Sequence, residues 1–275
     1  MEPPFATPPP EILSTILDQL RGFEEREGVR ILLACESGSR AYGLSRPASD
    51  YDIRFVYVHE PRWYLSFTKR KDAQNFFSED RRLDFWGWDL RKALTLLRMS
   101  NPSIMEWPHS PIQYICDPLF LEGIIPLGER YFNPATEIGH YISLGNSYNQ
   151  KLHHQQGKNP LKLFFCSMRG YLAAKWVFAN GTLPPLDFRT LASGTIGPDV
   201  VREGVLSLLE EFLGAPRPGE VPPPDKMLSD YLNHLRFTVP AQCRTQGDSA
   251  EKSPAPPEGE GTGDLDEFFM RMLGV

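Results

Sequence analysis

The residues able to do chemistry concentrate between positions 36 and 54, which read Glu-Ser-Gly-Ser-Arg-Ala-Tyr-Gly-Leu-Ser-Arg-Pro-Ala-Ser-Asp-Tyr-Asp-Ile-Arg. Asp50 and Asp52 are two apart at the head of an apolar alternation formed by Tyr51, Ile53, Phe55 and Tyr57. Side chains at i and i+2 of a strand share a face, about 7 Å apart along the chain, so the two carboxylates would stand side by side. Such a pair suits a hard divalent cation, because Mg2+ ordinarily takes one or two carboxylates together with water and substrate phosphate oxygens. Arg54 falls on the same face and could hold an acid in place.

The elements around the pair supply the other half of a site. Val29–Cys35 is an apolar run of strand length, broken by Ser37-Gly38-Ser39, after which Arg40-Ala41 can begin a short helix. A strand ending in a glycine turn before a helix leaves backbone N–H groups free to meet phosphate oxygens, aided by the positive end of the helix dipole. Gly38 lets the backbone approach an anion closely and the Ser39 hydroxyl adds a donor. The combination predicts a site for a nucleoside triphosphate and magnesium. A two-metal phosphoryl-transfer site needs a third acid, with the ions about 3.5–4 Å apart. Asp84 is the candidate: it lies in Arg82–Trp88, a strand-like run able to pair with the Asp50–Val58 strand. Asp80 and Asp89 are nearby alternatives, but Asp89 precedes Leu90–Arg98 as an ordinary helix N-cap.

In this order of elements the chain resembles the DNA polymerase beta nucleotidyltransferase superfamily. Within it, the chain is most similar to predicted bacterial nucleotidyltransferases associated with RNA ligase and RNA repair systems. The likeness rests on Gly38–Gly43, Ser49–Arg54, Gly87–Leu94 and the stretch from Asn101-Pro102 through Glu106-Trp107 to Ser110-Pro111, and continues more loosely through Lys162, Arg169 and Trp176. The resemblance implies that Gly38 and Ser39, with Arg40 beside them, contact the triphosphate, that Asp50 and Asp52 bind the metals, and that Asp84 is the third carboxylate. It implies two Mg2+ ions, or Mn2+ in their place, ATP or another nucleoside triphosphate as substrate, and partners drawn from RNA repair.

The 275 residues, 41% hydrophobic and 23% charged, are enough for two compact units. Residues 1–10 are rich in proline and read as a disordered start. Helical spacing of Ile12, Leu13, Ile16, Leu17, Leu20 and Phe23 predicts a helix over 11–27 that packs on the catalytic sheet. Strands are expected within 29–67 and 82–88, and helices over 89–99 and from Asn101-Pro102. The expected fold is α/β: a polymerase-beta-type nucleotidyltransferase domain over 11–130, with a mixed sheet flanked by helices, then a mainly helical domain over 131–239 that closes one side of the cleft. Composition marks 240–264 as a flexible linker, and 265–275 reads as a short amphipathic helix.

Cys35, Cys116, Cys166 and Cys243 have neither metal-ligand nor disulfide-framework spacing and read as reduced thiols. There is no basic, apolar leader and no long uncharged apolar run, so the expected location is cytoplasmic, with no membrane contact. A net charge of −6 argues against a broad nucleic-acid-coating surface. Residues 138–186, however, contain no Asp or Glu, where the chain-wide frequency would place about six. Lys162 and Arg169 are seven apart there, nearly on one helix face, and are expected to present a basic surface to a triphosphate or an RNA backbone. The reading is a magnesium-dependent nucleotidyltransferase with RNA as acceptor. Transfer to a small molecule or a protein, and a non-catalytic partner-binding protein of the same fold, are the alternatives.

Overall fold

The computed structural model describes residues 7–68, 70–154, 159–215, 220–247 and 263–275. The chain divides into two compact units, one formed by 1–41, 49–131 and 254–275, the other by 42–48 and 132–253.

The first unit is built on a five-stranded mixed sheet. Its strands are β1 (Val29–Glu36), β2 (Tyr51–His59), β3 (Ala73–Phe77), β4 (Leu83–Asp89) and β5 (Gln113–Cys116), in the order β3-β4-β2-β1-β5. β2 and β4 run parallel and the other neighbours are antiparallel. The odd positions of β2, Ile53, Phe55 and Tyr57, share a buried cluster with Phe85 of β4 and with Ile16, Leu20 and Phe23 of helix α1 (Pro10–Glu27). One face of the sheet is therefore closed by α1, which stops at Gly28, in the left-handed conformation at φ 62°. The even positions, Asp52, Arg54, Val56 and Val58, point to the other face, and Val56 and Val58 are buried there.

Short helices connect the strands: α2 (Gly38–Ala41) after β1, α3 (Pro61–Tyr64) after β2, α4 (Leu90–Arg98) after β4 and α5 (Pro102–Glu106) beyond it. Asp89 caps α4, its carboxylate accepting from Arg91 N. Helix α6 (Pro118–Tyr131) completes this stretch. Strands β3 and β5 lie within regions where sequence reasoning placed none, and both are short edge strands.

The second unit is helical: α7 (Pro134–His153), α8 (Pro160–Asn180), α9 (Phe188–Thr195), α10 (Asp199–Gly214) and α11 (Lys226–Gly247). Central α8 buries residues around nearly its whole circumference, as a core helix must. At its crossing with α7, a Cβ on Gly170 would lie 2.6 Å from Gly145 N, so glycine permits the close approach. Helix α11 continues through Pro240 to Gly247, into the stretch read from composition as linker. Leu228, Leu232, Leu235 and Val239 pack an apolar face of α11 on the core before the proline, and the partly buried Cys243 packs there beyond it. Residues 248–262 of the expected linker and 1–6 of the expected disordered start lie outside the described residues, and the linker's last two residues, Gly263 and Asp264, begin α12. Helix α12 (Gly263–Leu273) packs on the first unit through Leu265, Phe268 and Met272, with Asp264 paired to Arg130 and accepting from Tyr131. No described helix is long and apolar enough to cross a membrane.

Candidate active site

The parallel register of β2 and β4 places Asp52 directly opposite Asp84. Two carboxylates at facing positions of neighbouring strands repel unless a cation stands with them. Arg54 supplies it. Its Nη2 is 3.0 Å from Asp52 Oδ1 and 3.0 Å from Asp84 Oδ2, while Nη1 donates to the Ile53 and Asp84 carbonyl oxygens. The remaining Asp84 oxygen, Oδ1, is buried and accepts no hydrogen bond.

The Ser-Gly-Ser turn lies against the same acids. Ser37 N donates to the Asp52 carbonyl oxygen at 2.9 Å, joining the turn to the head of β2. Gly38 adopts φ 61°, and a Cβ there would stand 2.4 Å from Asp52 Oδ2. Glycine is required twice, by the backbone and by the carboxylate. Ser39 is buried in the single turn of α2 that follows.

Arg40 differs from the expectation that it faces the triphosphate. It is 8% exposed, lies 3.7 Å over the Tyr51 ring, and donates through Nε and Nη2 to the Asp50 and Ser49 carbonyl oxygens. Three interactions within the loop commit it to fixing the chain on its way into β2. Asp50 itself is exposed and precedes the strand, which starts at Tyr51. Among the described residues no group of three or more His, Cys, Asp and Glu is placed to hold a metal ion. The structure brings Asp52 and Asp84 together as a facing pair with Arg54 between them and leaves Asp50 in the loop that enters β2.

Neither alternative acid joins the pair. Asp89 lies five residues beyond Asp84, in register with Tyr57 at the far end of β2, and accepts from Tyr64 Oη at 2.6 Å as well as capping α4. Asp80 is exposed and tied to Ser78 Oγ and Arg82 N in the turn before β4.

Glu36, which sequence reasoning quoted and gave no role, stands at the end of β1 and is 1% exposed. Its Oε1 accepts from Asp52 N at 2.8 Å and its Oε2 from Tyr114 Oη of β5. Burial raises its carboxyl to about 7, against the lowering effect of those two hydrogen bonds. The available signal was an acid closing an apolar strand immediately before the glycine turn.

In the second unit, Lys162 is exposed near the start of α8, whereas Arg169 is 2% exposed, its guanidinium 3.5 Å over the Tyr42 ring. Lys175 is partly buried and donates to the Thr195 carbonyl oxygen. The expected basic face is therefore corrected. Placing Lys162 and Arg169 on one side of the helix was not enough to expose both, because that side sinks into the core within two turns.

Residues 12–246 match the sequence pattern of RlaP, described as an RNA repair pathway DNA polymerase beta family. The chain belongs to this family. It is also 36% identical over 195 residues, 71% of its own length and 74% of the relative's, to "Uncharacterized protein YcgL" of Bacillus subtilis (strain 168). A solved nucleotidyltransferase-like protein from Exiguobacterium sibiricum 255-15 aligns over 92% of this chain and 78% of its own, at 9% identity and a TM-score of 0.32. Membership of the RlaP family and the α/β architecture, with its mixed sheet flanked by helices, point to a polymerase-beta-type nucleotidyltransferase.

Proposed function

We propose that the protein transfers a nucleoside monophosphate from a nucleoside triphosphate to a hydroxyl of RNA and releases pyrophosphate. The observation that carries this reading is the facing pair Asp52 and Asp84, with the Gly38 turn pressed against Asp52. The donor set fits Mg2+: two carboxylates of hard oxygens, one of them with a buried oxygen that accepts no hydrogen bond. Asp52 and Asp84 would hold the ion, with Asp50 available from the loop for a second. When bound, Mg2+ or Mn2+ would neutralise charge on the triphosphate and favour the developing pyrophosphate.

The chain's own residues supply position. The Gly38-Ser39 turn receives the triphosphate beside the acids, and Arg40 and Glu36 hold the turn and the head of β2 in place. The acceptor oxygen forms a bond to the α-phosphorus as the bond from that phosphorus to the bridging oxygen breaks. Asp84 is assigned the hydroxyl proton. Orientation and charge placement account for such catalysis without a covalent enzyme intermediate. RNA as acceptor is supported by the family's description as an RNA repair pathway family.

Incubation of the purified protein with each α-labelled triphosphate, Mg2+ and a cellular RNA pool tests the reading. Label should enter RNA in the wild type and be absent with Asp52→Asn. Label on a protein or small-molecule fraction alone would refute RNA as acceptor, and no transfer with any triphosphate would refute the activity.

A further inference from the structure

Beyond the acids, β4 and edge strand β3 carry two large exposed aromatic side chains on the sheet face opposite α1. Trp86 is two residues from Asp84 on β4 and is 42% exposed. Phe77 of β3 is in register with Asp84 and is 51% exposed. The alternate residues of the same strands, Phe76 and Phe85, stack at 4.6 Å on the covered face against Phe23 and Phe55. On the other face Trp88 stacks on Trp107 at 4.1 Å, whereas Trp86 and Phe77 stay exposed.

Resting on the transferase reading above, we propose that Trp86 and Phe77 form a shelf on which bases of a single-stranded RNA acceptor stack. The order across the sheet carries the assignment. At one end of the strands lie, in sequence, the Gly38 turn after β1, Asp52 on β2, Asp84 on β4 and Phe77 on β3. The reacting acids are flanked on one side by the turn that receives the triphosphate and on the other by the aromatic pair. An acceptor lying on that second side brings its hydroxyl to the acids from opposite the triphosphate. Phe77 and Trp86 are diagonal neighbours across an antiparallel pair, about 7–8 Å apart, a separation that offers two rings to successive bases. Sheets that bind single strands present aromatic side chains in this manner, because every base has a stackable face.

The surrounding groups suit a nucleic acid. The Arg81 guanidinium is 5.8 Å from the Phe77 ring centre. Arg82 is exposed in the same turn, and Asn75, exposed and in register with Trp86, offers an amide to a base edge. Of the acids in that turn, Asp80 is engaged by Ser78 and Arg82, and Glu79 is exposed.

The test is fluorescence anisotropy of a labelled ten-nucleotide single-stranded RNA with a free 3′ hydroxyl, at moderate salt, on the full chain. Trp86→Ala and Phe77→Ala should each weaken binding by about 5- to 100-fold, as loss of one stacked base would. Trp86→Phe should retain most of the affinity. Both rings are exposed, so melting temperatures should stay near wild type, and the KM for triphosphate should not change. Asp52→Asn should bind RNA normally, which separates the shelf from the transfer step: RNA held by the shelf with no transfer refutes only the activity. The shelf is refuted by wild-type protein that does not bind the strand, by unchanged affinity in both alanine variants, by duplex RNA competing as well as single strand, or by a loss confined to triphosphate KM, which would place the incoming base there instead.

Discussion

Gly38→Ala is the sharpest perturbation the site offers, because its two costs can be separated. The first is conformational. Gly38 sits at φ 61°, where an alanine Cβ crowds the backbone at a cost of about 1–2 kcal/mol. The second is contact with the site: the new Cβ would stand 2.4 Å from Asp52 Oδ2, whereas an ordinary contact begins at 3.4 Å, so the carboxylate must retreat by about 1 Å. Asp52 Oδ1 lies 3.0 Å from Arg54 Nη2, and that same nitrogen binds Asp84, so the retreat disturbs both acids. A misplacement of that size costs on the order of 100-fold in rate. Gly28 provides the control, since it has φ 62° and a Cβ there would meet nothing within 4 Å. Gly28→Ala should lose a similar amount of stability in a denaturant melt and keep its kcat. Gly38→Ala should lose at least that stability, and its kcat for transfer should fall about 100-fold. If the two variants had the same kcat, the contact between the turn and Asp52 would have no part in catalysis.

Other substitutions test the remaining contacts. Asp84→Asn should abolish turnover while triphosphate still binds, whereas Asp89→Asn should keep turnover, because Asn also caps a helix; the reverse result would move the catalytic role to the far end of β4. Arg54→Gln leaves two facing carboxylates with no cation and should lower stability by about 2 kcal/mol in the absence of divalent ions. Added Mg2+ should then raise the melting temperature of this variant more than that of the wild type, and equal shifts would argue against an ion between the acids. Glu36 is raised from 4.5 to about 7, so the folded chain keeps a proton that the unfolded chain releases. That stabilisation is complete below pH 4.5 and is lost as pH rises through about 7, with an upper bound of about 3 kcal/mol. Glu36→Gln should flatten this part of the pH–stability curve, and an unchanged slope would assign it to other groups.

Much of the first unit was legible because its signals are local. An apolar run, a glycine turn and a period-two alternation define β1, α2 and β2 without knowledge of their neighbours. The edge strands were not legible. β3 is Ala-Gln-Asn-Phe-Phe, with two polar residues among five, and β5 is four residues long; each is a strand because a neighbour supplies hydrogen bonds, a non-local fact. Arg169 failed for a similar reason. Helical spacing relates it to Lys162, but its burial follows from what packs against α8, including the Tyr42 segment that joins this unit from far upstream in the chain. The C-terminal helix was visible as an amphipathic segment, whereas its seat against α6 and α4 came only from the structure.

Arg40 and Glu36 show how the site divides its labour. Both side chains are buried beside a turn read as an anion receiver, and in a simple count they would be a cation for phosphate and an acid for metal. Their hydrogen bonds go to the backbone instead: Arg40 to the carbonyl oxygens of Ser49 and Asp50, Glu36 to the N–H of Asp52. These are the main-chain groups on either side of the Asp-Tyr-Asp step, where the chain passes from loop to strand. A carboxylate is only as well placed as its backbone, and here the flanking peptide groups are fixed by the buried Arg40 and Glu36 side chains. Arg54 completes the arrangement on the side-chain level, holding Asp52 and Asp84 together before any ligand arrives. In the proposed reaction the exposed Asp50 carboxylate and the backbone of the Gly38 turn are the groups left to meet the substrate.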